Sequence, residues 1–430
     1  MPDTPVAATI LSLTYLAIAS ERVNRTAAAL AGAVAMIAVK LDGFDQNAAF
    51  GSIDFNVIFL LLGMMIQVSV LARTGVFEWL ATHTATLARG SPVRVMIALS
   101  LATAVLAAFL DNVTTVVLIA PVTISVASAL RMKATPLLIS EAIASNIGGT
   151  ATLIGDPPNI VIGSAAGLDF VSFLVNVAPI IVLILAVYLV AAPRLFSLHL
   201  AETPSRRERI EKMEMQALIK EPQLLGLSGV VLALTVLGFG LHGVLGYQPA
   251  TVALFGAAIV LLLGRQNVHN VLLDVEWSTL LFFVGLFIII GGTESVGLLS
   301  DLGNRVADLT GGNATAASMA VLWFSALASG VVDNIPYTTA MVPVVHQVGT
   351  SVGGGGGGPG SVLWWSLSLG ACLGGNLTLI AASANVLVAN LAARQGQRIG
   401  FWEFFRYGAP VTVLSIAVSA VYLWLRYLLF

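Results

Sequence analysis

The sequence predicts an all-α polytopic membrane protein of two inverted-topology repeats with about five spans each. Three observations lead there: an apolar composition, a set of polar landmarks that recurs once, and a lopsided distribution of cations. The chain has 430 residues, 57% of them hydrophobic and 10% charged, with mean hydropathy +0.94; soluble domains carry about 25% charged residues. Apolar stretches of about 20 residues recur from Pro5 to Leu429, and the longest hydrophilic stretch is Pro193 to Pro222. The net charge is −2 and no basic, aromatic-interleaved patch occurs, which argues against nucleic acid as a partner. Cys372 is the single cysteine, so internal disulfides and a thiolate metal cage are excluded. Met1-Pro2-Asp3 lacks a basic leader, so Thr4 to Ser20 is expected to be a retained first span.

Taken in order, the first repeat (1–192) reads as spans near 4–20, 26–39 and 54–72 and an amphipathic segment from Phe77 to Leu87. A hairpin over 92–130 follows, then a helix over 136–165 and a span near 172–192. The 136–165 helix is interrupted between Ile147 and Asn159, because Pro157 and Pro158 lack amide hydrogens and Gly148, Gly149 and Gly155 loosen the backbone. A charged linker (193–222) precedes the second repeat (223–430), with its hairpin at 313–349 and its unwound helix at 361–392.

The duplication rests on shared offsets. Gly63 matches Gly285, Gly75 matches Gly297, Asp111-Asn112 matches Asp333-Asn334 and Pro121 matches Pro343, all 222 positions apart (333 − 111 = 222). Gly148-Gly149-Thr150-Ala151-Thr152 matches Gly374-Gly375-Asn376-Leu377-Thr378, and Asn159 matches Asn385, now 226 apart (385 − 159 = 226). The difference of four falls at the glycine run Gly353 to Gly358, as a loop insertion would.

With five crossings per repeat, 17 of the 20 Lys and Arg residues fall on one face, against Lys40, Arg305 and Arg426 on the other. The cation-rich face is therefore expected to be cytoplasmic, in the inner (plasma) membrane, with both termini outside. An odd number of crossings inverts the second repeat, so one hairpin enters from the cytoplasm and the other from outside. Re-entrancy itself rests on the polar Asp-Asn tips, which suit a broken helix lining a cavity rather than a lipid-facing turn.

The tips supply the chemistry. An ionised side chain at bilayer depth costs at least a few kcal/mol, so it persists where it meets a cavity, an ion or a partner. Asp111 with Asn112, Thr114 and Thr115, and Asp333 with Asn334 and Thr338, offer carboxylates, amides and hydroxyls at helix breaks suited to a small polar solute. The alternative use of each Asp is to cap the returning helix. The unwound stretches add Asn146, Gly149, Thr150, Thr152, Asp156 and Asn159, facing Gly375, Asn376, Thr378, Ser383 and Asn385. Asp156 aligns with Ala382 and has no twin, which marks it either for a directional protonatable step or as a cap on the amides around Pro157. Glu141, Asp54 and Glu276 are expected at the membrane interface, and the charged segment Arg206 to Lys220 as a solvated helix. The five His residues lack metal-ligand spacing, so no metal or cofactor is expected. No phosphate-binding motif occurs, so the chain has no ATPase of its own, which leaves room for a separate ATPase subunit as partner.

In Asp111-Asn112-Val113-Thr114-Thr115 through Pro121, and in Asn146 through Gly155-Asp156-Pro157-Pro158-Asn159, the chain resembles the ion transporter superfamily. Within it, the likeness is to the arsenical pump (ArsB-type) and P-protein permease branch, and it covers nearly the whole chain. The resemblance implies two opposed re-entrant hairpins and two unwound helices around a midplane site, as the residues alone suggest. It also implies export of arsenite or antimonite in exchange for protons. Related sodium/dicarboxylate symporters resemble Ser-Asn-Thr at tips where Asp111 and Asp333 stand here, and paired carboxylates disfavour a dianion. Sodium/proton antiporters of the NhaD type resemble Gly-Asp-Val-Thr-Thr where this chain has Gly155-Asp156-Pro157-Pro158-Asn159.

The expectation is thus a proton-coupled antiporter. Its solute is held by Asn112, Thr114, Thr115, Asn146, Gly149, Thr150, Thr152, Asn159, Asn334, Thr338, Gly375, Asn376, Thr378, Ser383 and Asn385. Its protons are carried by Asp111, Asp333 and Asp156. Sodium/proton antiport is the alternative; a dicarboxylate transporter, a passive channel and an intramembrane aspartyl protease rank below it, the last because the asparagine-rich unwound segments have no role in such an enzyme.

Overall fold

The computed structural model describes residues 3–20, 22–88, 91–197, 219–352 and 361–429, and these contain helices and turns without strands. Most of the charged linker and the glycine run lie outside the described residues. The first repeat gives α1 (Asp3–Ala19), α2 (Arg25–Ala38), α3 (Gln46–Gly51), α4 (Phe55–Arg73), α5 (Val76–Leu87), α6 (Pro92–Leu110), α7 (Asn112–Ala129), α8 (Thr135–Thr150), α9 (Pro157–Ala166), α10 (Phe170–Asn176) and α11 (Ala178–Leu195). The second gives α12 (Pro222–Leu245), α13 (Pro249–Leu263), α14 (Val268–Leu273), α15 (Trp277–Ser295), α16 (Leu298–Leu309), α17 (Ala314–Ser329), α18 (Asn334–Ser351), α19 (Val362–Gly374), α20 (Ser383–Arg394) and α21 (Phe401–Leu423). Apart from α10, each first-repeat helix has a counterpart in the same order.

Among the described residues, seven helices are long and apolar enough to cross a bilayer, and five more are apolar at 10–17 residues. Their outward faces carry side chains such as Val190, Phe255 and Leu262, 69%, 69% and 78% exposed. On a soluble protein these would be a liability; on a membrane protein they face acyl chains.

Local chemistry sets the breaks. Asn24, Asp54 and Asn313 cap α2, α4 and α17 by accepting amide hydrogens of the first turn. Gly75 and Gly297 precede α5 and α16 with φ of +80° and +77°, so the matched glycines serve one left-handed turn, used twice.

The two repeats interlock rather than sit side by side. A Cβ on Gly63 of α4 would lie 2.6 Å from the Ala253 carbonyl carbon of α13, and one on Gly285 of α15 would lie 2.8 Å from that of Ala29 on α2. Thus α4 and α15 each pack on a helix of the opposite repeat, and α1–α4 with α12–α15 form a frame. The remaining helices form a core in which α8 lies on α6 and α19 on α17. Gly148 against Ala104, and Gly374 against Ala326, are the points of backbone approach.

Glu141 corrects an expectation. It is 2% exposed, inside the core rather than at an interface, and its Oε1 accepts from Thr123 Oγ1 of α7. The turn after Arg131 and Lys133 starts α8 deep enough that two helical turns carry Glu141 behind the hairpin.

Candidate functional site

A single residue, Asp111, separates α6 from α7, with φ +91° and ψ 152°. Non-glycine residues rarely adopt this conformation, which costs about 1–3 kcal/mol and concentrates at functional positions. Its carboxylate caps α7 through the Thr114 amide at 2.8 Å, and its carbonyl accepts the Thr115 hydroxyl at 2.7 Å. Thr115 is thereby committed to the turn, while Thr114 lines a cavity of about 400 Å³ with Arg73, Glu78, Asp274 and Glu276. The twin Asp333 has an ordinary φ of −49° and caps α18 through the Ile335 amide at 3.0 Å. Both tip acids therefore do cap their helices.

The tip asparagines meet at the residue without a twin. Asn112 Nδ2 donates to Asp156 Oδ1 at 3.2 Å, and Asn334 Nδ2 lies 3.4 Å from each Asp156 oxygen. Asp156 precedes α9 but makes no side-chain cap bond; fully buried, it takes an amide from each hairpin. Of the two uses the sequence left open for this residue, capping is absent. The break also explains why both hairpins stop where they do: their tips end against the unwound segments, with Asn334 N donating to Ala381 O at 3.1 Å.

Asn146 extends the lattice across the repeats. It accepts from Asn112 at 3.2 Å and donates to Asn376 and Asn385, both at 3.0 Å. Asn159 and Asn385 are the staples of the unwound segments. Asn159 donates to the carbonyls of Thr150 and Thr152, and Asn385 to those of Gly375 and Thr378. Thr152 and Thr378 are tied in the same paired way, to the carbonyls of Ala108 and Gly330. Thr150 returns its hydroxyl to the Asn146 carbonyl. Gly149 admits backbone: a Cβ there would sit 2.5 Å from the Gly155 carbonyl oxygen, and one on Gly375 would sit 3.0 Å from that of Cys372. Three buried polar atoms of this region have no partner among the described residues: Asn112 Oδ1, Asn376 Nδ2 and Thr338 Oγ1.

Sequence reasoning missed Arg25, which it counted among the loop cations. Its Nη1 lies 2.9 Å from Asp333 Oδ2 and also donates to Ser383 Oγ. Arg25, Asp333 and Ser383 line a cavity of about 760 Å³ with Glu276, Ser278, Thr279 and Asn390. The available signal was asymmetry, since the position 222 residues on is Tyr247. Tyr15 was missed too; its hydroxyl donates to the Pro336 carbonyl at 2.7 Å.

The family described as citrate transporter (CitMHS) matches residues 15–370. The chain belongs to this family. An uncharacterized transporter of Mycobacterium tuberculosis is 46% identical over 427 residues, covering 98% of both chains. The human P protein is 35% identical over 504 aligned positions, covering 97% of this chain and 59% of its own, and bears out the resemblance to the P-protein branch. The crystal structure of the Alcanivorax borkumensis YdaH transporter, described as having an unusual topology, aligns with TM-score 0.57 and 15% identity over 98% of both chains. That likeness shows the fold alone, an all-helical polytopic one. The family, the mycobacterial relative and the structural neighbour are described as transporters, which sets aside the protease reading.

Proposed function

We propose that the chain is a proton-coupled secondary antiporter that exports arsenite or antimonite, with Asp156 and Asp111 taking up and releasing protons. The observation that carries this is the pair of unpartnered buried atoms on two asparagines bonded to Asn146, an acceptor on Asn112 and a donor on Asn376; the second hairpin adds an unpartnered hydroxyl on Thr338. A buried polar atom left unpaired costs about 1–3 kcal/mol, so each favours a ligand that supplies its missing partner. A neutral trihydroxylated solute both donates and accepts, matching the two asparagines, whereas a fully ionised anion offers acceptors alone. A site without multiple thiolates also favours release of a soft metalloid.

One observation favours a second reading, a carboxylate-bearing solute. Arg25 balances Asp333 and presents a cation to the larger cavity, and the family description names citrate. We place the protein in the plasma membrane with the cation-rich face cytoplasmic; Arg25 at one cavity and Arg73 at the other then make both cytoplasm-facing. The deciding experiment is a flux panel in proteoliposomes of arsenite, antimonite, citrate, succinate and Na⁺, each with and without an imposed pH gradient. Gradient-driven arsenite or antimonite movement with matching proton counterflow is expected. Gradient-driven citrate or succinate movement with none of arsenite would replace the first reading by the second.

A further inference from the structure

Arg25 belongs to the frame, yet both of its polar partners belong to the core. Its guanidinium stands 5.3 Å over the Phe282 ring of α15, and Thr26 beside it donates to the Ser278 carbonyl at 2.8 Å, so the residue is anchored to frame helices. From there it reaches Asp333 at the tip of the second hairpin and Ser383 at the start of α20. Its side chain is 30% exposed to the larger cavity and that of Asp333 is 11% exposed. Arg25 is the only cation lining that cavity among the described residues. The charged groups facing the pair are Glu276 across the cavity and, inside the core, Asp156. At the repeat-related position stands Tyr247, so the first hairpin's acid has no equivalent cation. Asp111 is acted on by another carboxylate, Glu276.

We propose that Arg25 is a one-sided latch between frame and core. Its ion pair with Asp333 holds the cavity open, and each transport cycle requires that pair to part. Any displacement of the core past the frame stretches the bridge, because its two ends are fixed to different bodies. A carboxylate this enclosed does not lose its counter-ion without a replacement, so release is tied to arrival of a proton or solute at Asp333. Only one face carries the latch, so the two end states of the cycle are unequal when the site is empty. The inference rests on the reading of the chain as an alternating-access carrier but not on which solute it moves.

The test uses no solute, so its failure and a failure of the arsenite reading are distinguishable. Asn390 is exposed in the cavity, and Cys372, the chain's single thiol, is buried. The full-length Asn390→Cys protein in lipid nanodiscs is labelled with fluorescein maleimide and the rate compared in its Arg25→Gln, Arg25→Lys, Asp333→Asn and doubly substituted forms. Monodisperse elution establishes that each is folded. For a partly exposed pair worth about 1 kcal/mol, Arg25→Gln and Asp333→Asn should each slow labelling about fivefold. The double substitution should add nothing, and Arg25→Lys should recover most of the rate. Should Arg25→Gln fail to fold, Asp333→Asn with Arg25→Lys carries the test. Unchanged or faster labelling in the neutralised variants, or slowing that adds in the double variant, overturns the latch.

Discussion

Replacing Asp156 by Asn tests the centre of the site with a change of one atom. Asp156 accepts an amide from each hairpin, from Asn112 at 3.2 Å and from Asn334 at 3.4 Å to each oxygen. An asparagine that keeps its oxygen at the Oδ1 position still accepts from both hairpins, but its new amide replaces Oδ2 and faces Asn334 Nδ2, donor against donor. The Oδ2 contact is lost and a donor is stranded, at about 1–3 kcal/mol. If that loss falls on the transition between states, the exchange rate drops about ten- to a hundredfold. Loss of the titratable group should also abolish accumulation against a gradient while leaving slow downhill movement. The assay is arsenite uptake into proteoliposomes with an internal pH dye, so solute and proton are counted together. An Asp156→Asn protein that accumulates arsenite at the wild-type rate, with the wild-type proton count, would refute the role given to this carboxylate.

Three further outcomes follow from the packing. Gly148→Ala and Gly374→Ala each put a methyl into the backbone of the adjacent hairpin, at Ala104 and Ala326; each should cost about 1–3 kcal/mol, by similar amounts, read as a fall in melting temperature. Glu141→Gln preserves an acceptor for Thr123 in a buried setting, so thermal stability should stay within about 1 kcal/mol of wild type, whereas Glu141→Ala leaves a cavity and a stranded hydroxyl and should lose about 2 kcal/mol or more. At the membrane boundary, partial burial raises the Asp274 carboxyl, but hydrogen bonds from Arg73 and Ser69 and the Arg73 charge outweigh it and hold the group below its ordinary range. Its contribution is thus present above the ordinary carboxylate range and lost as pH falls through the folded-state value. With the carboxylate half exposed, Asp274→Asn should cost less than about 1 kcal/mol near neutral pH and still less in acid, as measured by melting at both.

The duplication was legible because polar landmarks in an apolar chain are few, and each must serve a turn, a break or a site. Asp111, Gly75 and the stretch around Asn159 therefore announced their elements, and their twins did so again. What stayed hidden depends on depth and direction. Arg25 stands four residues before Ala29, where α15 presses close, and nothing along the chain says that it turns inward toward a hairpin more than 300 positions away. Asp156 could be read as a cap because it precedes Pro157; only the arrival of two asparagines from different hairpins shows its carboxylate to be shared. Glu141 followed two loop cations and looked superficial, and the burial of α8 decided otherwise. The staple roles of Asn159 and Asn385 were likewise invisible, since an asparagine that holds its own backbone and one that holds a solute have the same letter.

The crosswise seating of α4 on α13 and of α2 on α15 has a consequence for how the molecule is made. While the first 192 residues are being inserted, Gly63 and Ala29 present bare grooves whose occupants have not yet been synthesised. The early helices must wait in lipid, held by hydrophobicity alone, until the later ones arrive to close both grooves. Neither half is then an independent folding unit, and a nascent chain halted at the linker is the species that quality control would meet.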